Sequence, residues 1–247
     1  FIKKIPSNIK TIIVENSENF KLKKDIEKKY NNISLYLKEN DGVSSALNFA
    51  VEKIETKYFL QISPDINFNY KDLEIFTNFA KENDNKFAAL GPRFLDTKEK
   101  SHKQINENLE HGKIDSIHGS CMFINTKNFI EIGKFDENFF LYFEEIDLCR
   151  SVLNKNGQIL IDKNIVVEHD GGSSVKTESQ HELDKNRNWH WMWSTFYYHR
   201  KHKGLLLSLF IILPKFISSL LKFLQYKIFN NKKLKEIYYC RLSGILN

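Results

Sequence analysis

The chain has 247 residues, of which 41% are hydrophobic and 28% charged. That length and balance exclude a disordered or fibrous chain and suit one α/β domain, or a domain with an appendage. The formal charge of +6 admits an anionic partner: phosphates, nucleic acid or an acidic membrane surface. Cys121, Cys149 and Cys240 are far apart and form no C-x-x-C pair, so they suit reduced thiols in a cytosolic protein better than a disulfide frame or a zinc site. No signal peptide opens the chain, which begins at Phe1 in what reads as an ongoing helix or loop; an N-terminal piece is expected to precede it.

Residues 10–16, KTIIVEN, form a short β-branched run ending in polar turn residues, the pattern of a buried strand. A Lys/Glu-rich helical stretch follows to about Tyr30, then a second strand, ISLYLKEN. Residues 42–54, GVSSALNFAVEKI, carry apolar residues at Val43, Ala46, Leu47, Ala50, Val51 and Ile54, the spacing of an amphipathic helix. KYFLQIS is the third strand, closed by Pro64 and Asp65; a helix over 70–81 leads to a fourth, FAALGPRF. This alternation predicts βαβ units and a mostly parallel sheet. Ligands on such sheets sit at the carboxyl ends of the strands, where Glu15, Asn16, Asn40, Asp41, Ser63 and Asp65 are expected to converge on one edge.

The second half opens with a strand, SIHGSCMFIN, and a short helix, TKNFIEIG, with Gly133 as its C-cap. FDENFFLYFEEIDLCR then crowds Glu144, Glu145 and Asp147 behind Phe139, Phe140, Tyr142 and Phe143, and a helix is expected over 144–156. QILIDKNIVVEHDGGSS reads as two strands, the second ending at His169. From about Ser179 the chain reads as helical to its end.

Four segments, TIIVENSEN, NDGVSSALNFAVEKIETKYFLQISPD, DSIHGSCMFINTKNFIEIGKFDENFFLYFEEIDLC and GQILIDKNIVVEHDGGSS, follow one another across residues 11–174. Together, and in that order, they resemble the inverting nucleotide-sugar glycosyltransferases of family 2, of GT-A fold, and within them the rhamnosyltransferase-like branch. The resemblance implies an α/β, Rossmann-like GT-A domain over 1–200 and a helical tail over 201–247. The family's first strand and phosphate-side loop would lie ahead of Thr11.

Glycosyl transfer needs an acceptor hydroxyl deprotonated as it attacks the anomeric carbon, and a nucleoside diphosphate leaving group whose charge is neutralised. Asp65, at a strand end, suits a hard divalent cation, Mg2+ or Mn2+, bridging the diphosphate. The resemblance makes Asp65 the last acid of a D-x-D-like motif, with Ser63 where the preceding acid stands, and implies His169 as a second metal ligand. It makes Glu145 the catalytic base, a Glu where the family more often has Asp, with Glu144 and Asp147 as further candidates. It places Glu15 where the family's nucleoside-contacting Asp stands, and puts Asn40, Gly42, Ser63, Asp65 and Gly119 on the donor side. The aromatics ahead of the acids are expected either to form a dry wall that raises the pKa of the base or to be core.

Each residue also has a plainer reading. A strand-end Asp beside Pro forms turns, a His after a β-branched strand is commonly a hydrogen-bonded surface residue, and acids in a first helical turn favour the helix dipole.

The tail packs three Trp and two Tyr beside basic residues in NRNWHWMWSTFYYHRKHKG, followed by LLLSLFIILPKFISSLLKFLQYKIF. Pro214, Lys215 and Lys222 interrupt that apolar run, which argues against a membrane-spanning helix and for an amphipathic helix lying in the membrane surface. An ordinary helical core is the alternative.

The function so implied is transfer of a sugar, rhamnose among the candidates, from a nucleoside diphosphate to a glycan or lipid-linked acceptor. The enzyme would be cytoplasmic and peripheral at the inner face of the cell membrane. A nucleic-acid-binding protein would explain the charge and the aromatics but not acids and a His at sheet ends. A catalytically inactive nucleotide-sugar-binding or scaffold protein of the same fold is the other alternative, given Ser63 and Glu15.

Overall fold

The structure is a computed structural model that describes residues 2–17, 19–83, 87–94, 112–169 and 180–246, excluding the side chains at 112, 113 and 169. The described residues form two compact units. The first holds the chain up to Asn138 and again from Glu144; the second holds Phe139–Phe143 and the helical residues from Gln180 on.

In the first unit, β1 (Thr11–Glu15) and β2 (Ile33–Leu37) pair in parallel, joined by α1 (Phe20–Lys29). The Asn19 side chain caps α1 by accepting from Leu22 N. Ile26 of α1 packs with Ile33 and Leu35 in a small separate core. Helix α2 (Val43–Val51) starts at Gly42, whose φ of 96° is a conformation that L side chains rarely adopt, and leads to β3 (Tyr58–Ile62).

The second sheet has the order β3-β7-β5-β8-β4, with β6 (Gly112–Lys113) also on β8. Its other strands are β4 (Ile66–Asn67), β5 (Phe87–Phe94), β7 (Cys121–Asn125) and β8 (Gln158–His169). The expected mostly parallel sheet is corrected here to a mixed one. β1–β2 and β5–β8 are parallel, whereas β3–β7, β5–β7, β4–β8 and β6–β8 are antiparallel. Strand–helix alternation signals parallel pairing only where a helical crossover joins neighbours, and β7 meets β3 and β5 from a distant part of the chain.

The two strands expected over 158–169 are one. Its pairing with β5 jumps from Pro92↔Asp162 to Arg93↔Val166, and Asn164 N donates to Asp162 Oδ1 at 2.9 Å across the excursion. A bulge of this kind bends a strand without ending it.

Both faces of the larger sheet are covered. Side chains alternate along a strand, so Met122 and Ile124 of β7 join one core with Phe129, Leu148 and Val152, while Cys121 and Phe123 join another with Phe76, Phe87 and Leu160. The first core is capped by α4 (Thr126–Ile132) and α5 (Glu144–Asn154), the second by α3 (Asp72–Glu82). Phe76 stacks on Phe123 at 5.2 Å and is fully buried, which is worth about 1.5–3 kcal/mol. Gly133, at φ 112°, ends α4 as the sequence suggests.

The second unit contains α6 (Gln180–Lys203), α7 (Leu205–Ile228) and α8 (Lys232–Leu246). His181 Nε2 meets Glu236 Oε2 at 2.8 Å and Arg241 Nη1 donates to Asn188 Oδ1 at 3.1 Å, tying α6 to α8. Phe139–Phe143 packs on α6: Ser194 Oγ donates to Leu141 O at 2.8 Å, Phe140 stacks on His190, and Tyr142 and Phe143 meet Trp191. The aromatics of that segment thus sit in a ring cluster with α6.

Candidate active site

Helix α5 begins directly after Tyr142 and Phe143, which have φ values of 69° and 71°. Bulky residues in left-handed backbone are outliers costing roughly 1–3 kcal/mol each, and such strain gathers at functional sites. The first turn of α5 carries Glu144, Glu145 and Asp147, with Asp147, Leu148, Cys149 and Val152 buried.

Glu144 and Glu145 are half-buried as residues, but Oε2 of each is sealed from solvent and has no hydrogen-bond partner. Burial raises both carboxyl pKa values. For Glu145 the neighbouring Glu144 carboxylate adds to burial, while the backbone N–H groups of Glu145 and Ile146 pull the other way, and the result is a pKa of about 8. Cys149, one helical turn on, is a buried thiol pushed up to about 12, chiefly by the same desolvation.

Glu145 lies against Gly119. A Cβ at 119 would stand 3.1 Å from Glu145 Cβ and 3.4 Å from its Cδ. The loop bearing Gly119 is held in turn by β3: Ser63 N donates to Ser120 O at 2.8 Å, and the Gln61 side-chain amide donates to Gly119 O. His118 Nδ1 accepts from Ser120 N at 3.0 Å and meets Ser120 Oγ at 2.6 Å. A chain of contacts therefore joins Ser63, Gly119 and Glu145, which lie far apart in sequence.

Asp65 follows in the turn closed by Ile66 N donating to Ser63 O at 3.1 Å. The register Ile66↔His169 brings the backbone of His169 beside that turn; its side chain lies outside the described residues. Among the described residues no three His, Cys, Asp or Glu side chains gather as a metal cage. Asp65 offers one carboxylate, and a hard cation takes about six oxygens. A cation at Asp65 would therefore need most of its ligands from elsewhere.

Glu15 ends β1, and Asn40 and Gly42 lie between the end of β2 and the start of α2. Lys38 N donates to Glu15 O at 3.0 Å, Glu15 Oε1 accepts from Ser17 N at 2.9 Å, and Asn40 Oδ1 accepts from Gly42 N at 3.4 Å. Beside them, Asn16 Oδ1 is sealed from solvent without a hydrogen-bond partner. The β1–β2 sheet beside this group is separate from the sheet that holds β3 and β7, next to Ser63 and Gly119.

Sequence reasoning gave Asn48 no role, and the structure gives it one. Its Nδ2 donates to Phe135 O and to Glu137 Oε1, both at 2.9 Å, and its Oδ1 accepts from Phe135 N at 3.1 Å. Buried on α2, Asn48 fixes the loop that leads toward the acid cluster. The available signal was a lone amide within the apolar repeat Leu47, Ala50, Val51.

No family model matches the chain. The low-salt glycan biosynthesis hexosyltransferase Agl10 of Haloferax volcanii is 26% identical over 137 residues, 47% of this chain and 43% of its own length. An uncharacterized glycosyltransferase of Rickettsia typhi is 25% identical over 202 residues, 76% of this chain and 62% of its own. The chain thus spans less than two thirds of each relative. Among solved structures, the mannosyltransferase PcManGT of Pyrobaculum calidifontis with GDP-Man and Mn2+ superposes with a TM-score of 0.57 at 10% identity, over 99% of this chain and 81% of that one. TarS of S. aureus in complex with UDP gives 0.56 at 14% identity, over 98% and 84%. GalNAc-T7 with UDP, GalNAc and Mn2+ gives 0.56 at 11% identity, over 88% and 53%. With its mixed sheet and C-terminal helices, the chain has the GT-A fold of the glycosyltransferases.

Proposed function

We propose that this chain is the catalytic part of an inverting, family 2 glycosyltransferase. It moves a hexose or deoxyhexose, rhamnose among them, from a nucleoside diphosphate to a glycan or lipid-linked acceptor in cell-surface polysaccharide synthesis. The observation that carries this reading is Glu145, a carboxyl with one oxygen sealed from solvent and a pKa of about 8, lying on Gly119. A general base works best with a pKa near the working pH.

As a carboxylate, Glu145 takes the proton of the acceptor hydroxyl while that oxygen bonds to the anomeric carbon. The bond from that carbon to the diphosphate oxygen breaks, and its electron pair leaves with the nucleoside diphosphate. A single displacement inverts the anomeric centre. Burial, and after it the neighbouring Glu144 carboxylate, keep the Glu145 pKa high. Glu15, Asn40 and Gly42 bind the nucleoside end of the donor; Ser63, Asp65 and Gly119 lie along its diphosphate and sugar. Asp65, with His169 as a further ligand, would hold a divalent cation, whose positive charge would offset that of the leaving diphosphate.

One observation favours a second reading. Ser63 stands close to Asp65 where a second carboxylate would strengthen cation binding, as suits a chain that binds nucleotide sugars without turning them over.

Hydrolysis of a panel of dTDP-, UDP- and GDP-sugars with Mg2+ or Mn2+, alongside calorimetry of nucleotide binding, tests both. Turnover of one donor, abolished by chelator and by Asp65→Ala, supports the enzyme. Binding without turnover supports the second reading, and neither binding nor turnover overturns both.

A further inference from the structure

Helix α7 presents its apolar side outward. Leu206 is 75% exposed, Phe210 73%, Leu221 61% and Ile228 81%, with Leu213, Ile217 and Leu224 also exposed. At 100° per residue, Leu206, Phe210, Leu213, Ile217, Leu221 and Leu224 fall within an arc of roughly 80°. They form one stripe along a helix of 24 residues. The buried residues of α7 are Ser208, Ile212 and Ser219, so two of the three inward positions are small hydroxyls. A helix built for a protein core has the reverse arrangement, and a contiguous apolar surface of this kind marks an interaction site.

Charge identifies the occupant. Between Arg200 and Lys235 every Asp, Glu, Lys or Arg position is basic: Lys201 and Lys203 precede α7, and Lys227, Lys232 and Lys233 follow its apolar stretch. Two copies of such a surface repel each other, whereas an anionic lipid surface attracts it. We propose that α7 docks in the plane of an anionic lipid bilayer, with the Leu206–Leu224 stripe among the acyl chains and the basic ends at the headgroups.

By length and composition α7 is also the one helix among the described residues able to cross a membrane. Its neighbours argue for the in-plane orientation. Its inward side packs with α6 and α8, which carry Arg187, Arg200, Lys201, Lys235 and Arg241, and Lys215 and Lys222 stand on α7 itself, away from the apolar stripe. A spanning α7 would draw these charges into hydrocarbon; an in-plane α7 leaves them in water.

The test is co-flotation of the full chain with phosphatidylcholine vesicles, with and without phosphatidylglycerol, compared with a Leu213→Glu/Leu221→Glu variant. Both side chains are exposed, so the variant keeps its fold, and circular dichroism verifies that. The expected result is flotation with the anionic vesicles, at least tenfold weaker binding to phosphatidylcholine alone, and at least tenfold loss in the variant. Bound protein should also move to a second vesicle population on mixing. Absence of flotation, flotation indifferent to the two substitutions, or failure to transfer, which marks a spanning helix, would each overturn the proposal. So would self-association in sedimentation velocity that the same variant abolishes without any lipid binding. None of these outcomes depends on donor chemistry.

Discussion

Glu145 rests on the α-carbon of Gly119, with Cβ and Cγ 3.1 and 3.2 Å from where a side chain at 119 would begin. The φ of Gly119 lies outside the left-handed range, so this glycine provides space and is not there for a turn. Gly119→Ala is therefore expected to fold and to displace the Glu145 carboxyl by a few tenths of an ångström. Because small misplacements of reacting groups cost rate steeply, donor turnover should fall about tenfold or more. Steady-state kinetics with thermal melts alongside measure this; unchanged turnover would remove Glu145 from the chemistry.

Glu145→Gln retains the shape and removes the base. Turnover is expected to fall by roughly a hundredfold or more with nucleotide binding intact. In the native chain turnover should rise with pH and level off above about 8, because the base must be ionised.

The same carboxyl links stability to pH. Its folded pKa is raised from 4.5 to about 8, so the protonated form is favoured by folding. This contribution is complete below the unfolded value and is lost as pH rises through the folded one. Denaturant unfolding at ~pH 5 and at ~pH 8.5 should show the native chain losing more stability than Glu145→Gln. Equal losses would place the carboxyl in water.

Asn48→Ala strips the partners from both backbone groups of Phe135. An unsatisfied buried polar group costs about 1–3 kcal/mol, so a loss of about 2–6 kcal/mol is expected in urea unfolding for the two groups. Asn48→Asp should not rescue it, because it cannot donate to Phe135 O and sets a carboxylate beside Glu137. A loss well below 1 kcal/mol would mean that water takes over the amide's role.

In the helical unit, a Cβ at Gly244 would stand 2.5 Å from the backbone oxygen of Trp189. Alanine gains about 0.5–1 kcal/mol of helix propensity over glycine, but relieving a backbone clash costs about 1–3 kcal/mol. The clash should win, and Gly244→Ala should lower the unfolding midpoint of the helices.

The sequence discloses what is local. The helix over Glu144–Asn154 starts where its acids predict, and the alternation up to Phe94 matches the observed elements apart from the two-residue β4, because apolar spacing encodes the longer ones. Strand direction has no such imprint, which is why the sheet is mixed where a parallel one was expected. The bulge that keeps β8 whole depends on its pairing with β5, a relation outside its own residues. Asn48 stood out only as an amide in an apolar repeat, and its partners, 87 and 89 residues away, could not be read for the same reason. Gly119 could be assigned to the donor side by resemblance, but its contact with Glu145 depends on how α5 packs.

The tryptophan stack on α6 sets how the chain can be watched. All three tryptophans of the protein stand on that helix, with Trp189 on Trp193 and Trp193 on Tyr197. Selective excitation of tryptophan therefore reports the helical unit alone and is blind to the sheets. Far-ultraviolet circular dichroism sees both. If the two signals part company during unfolding, the units lose structure separately, and a single two-state free energy does not describe the chain.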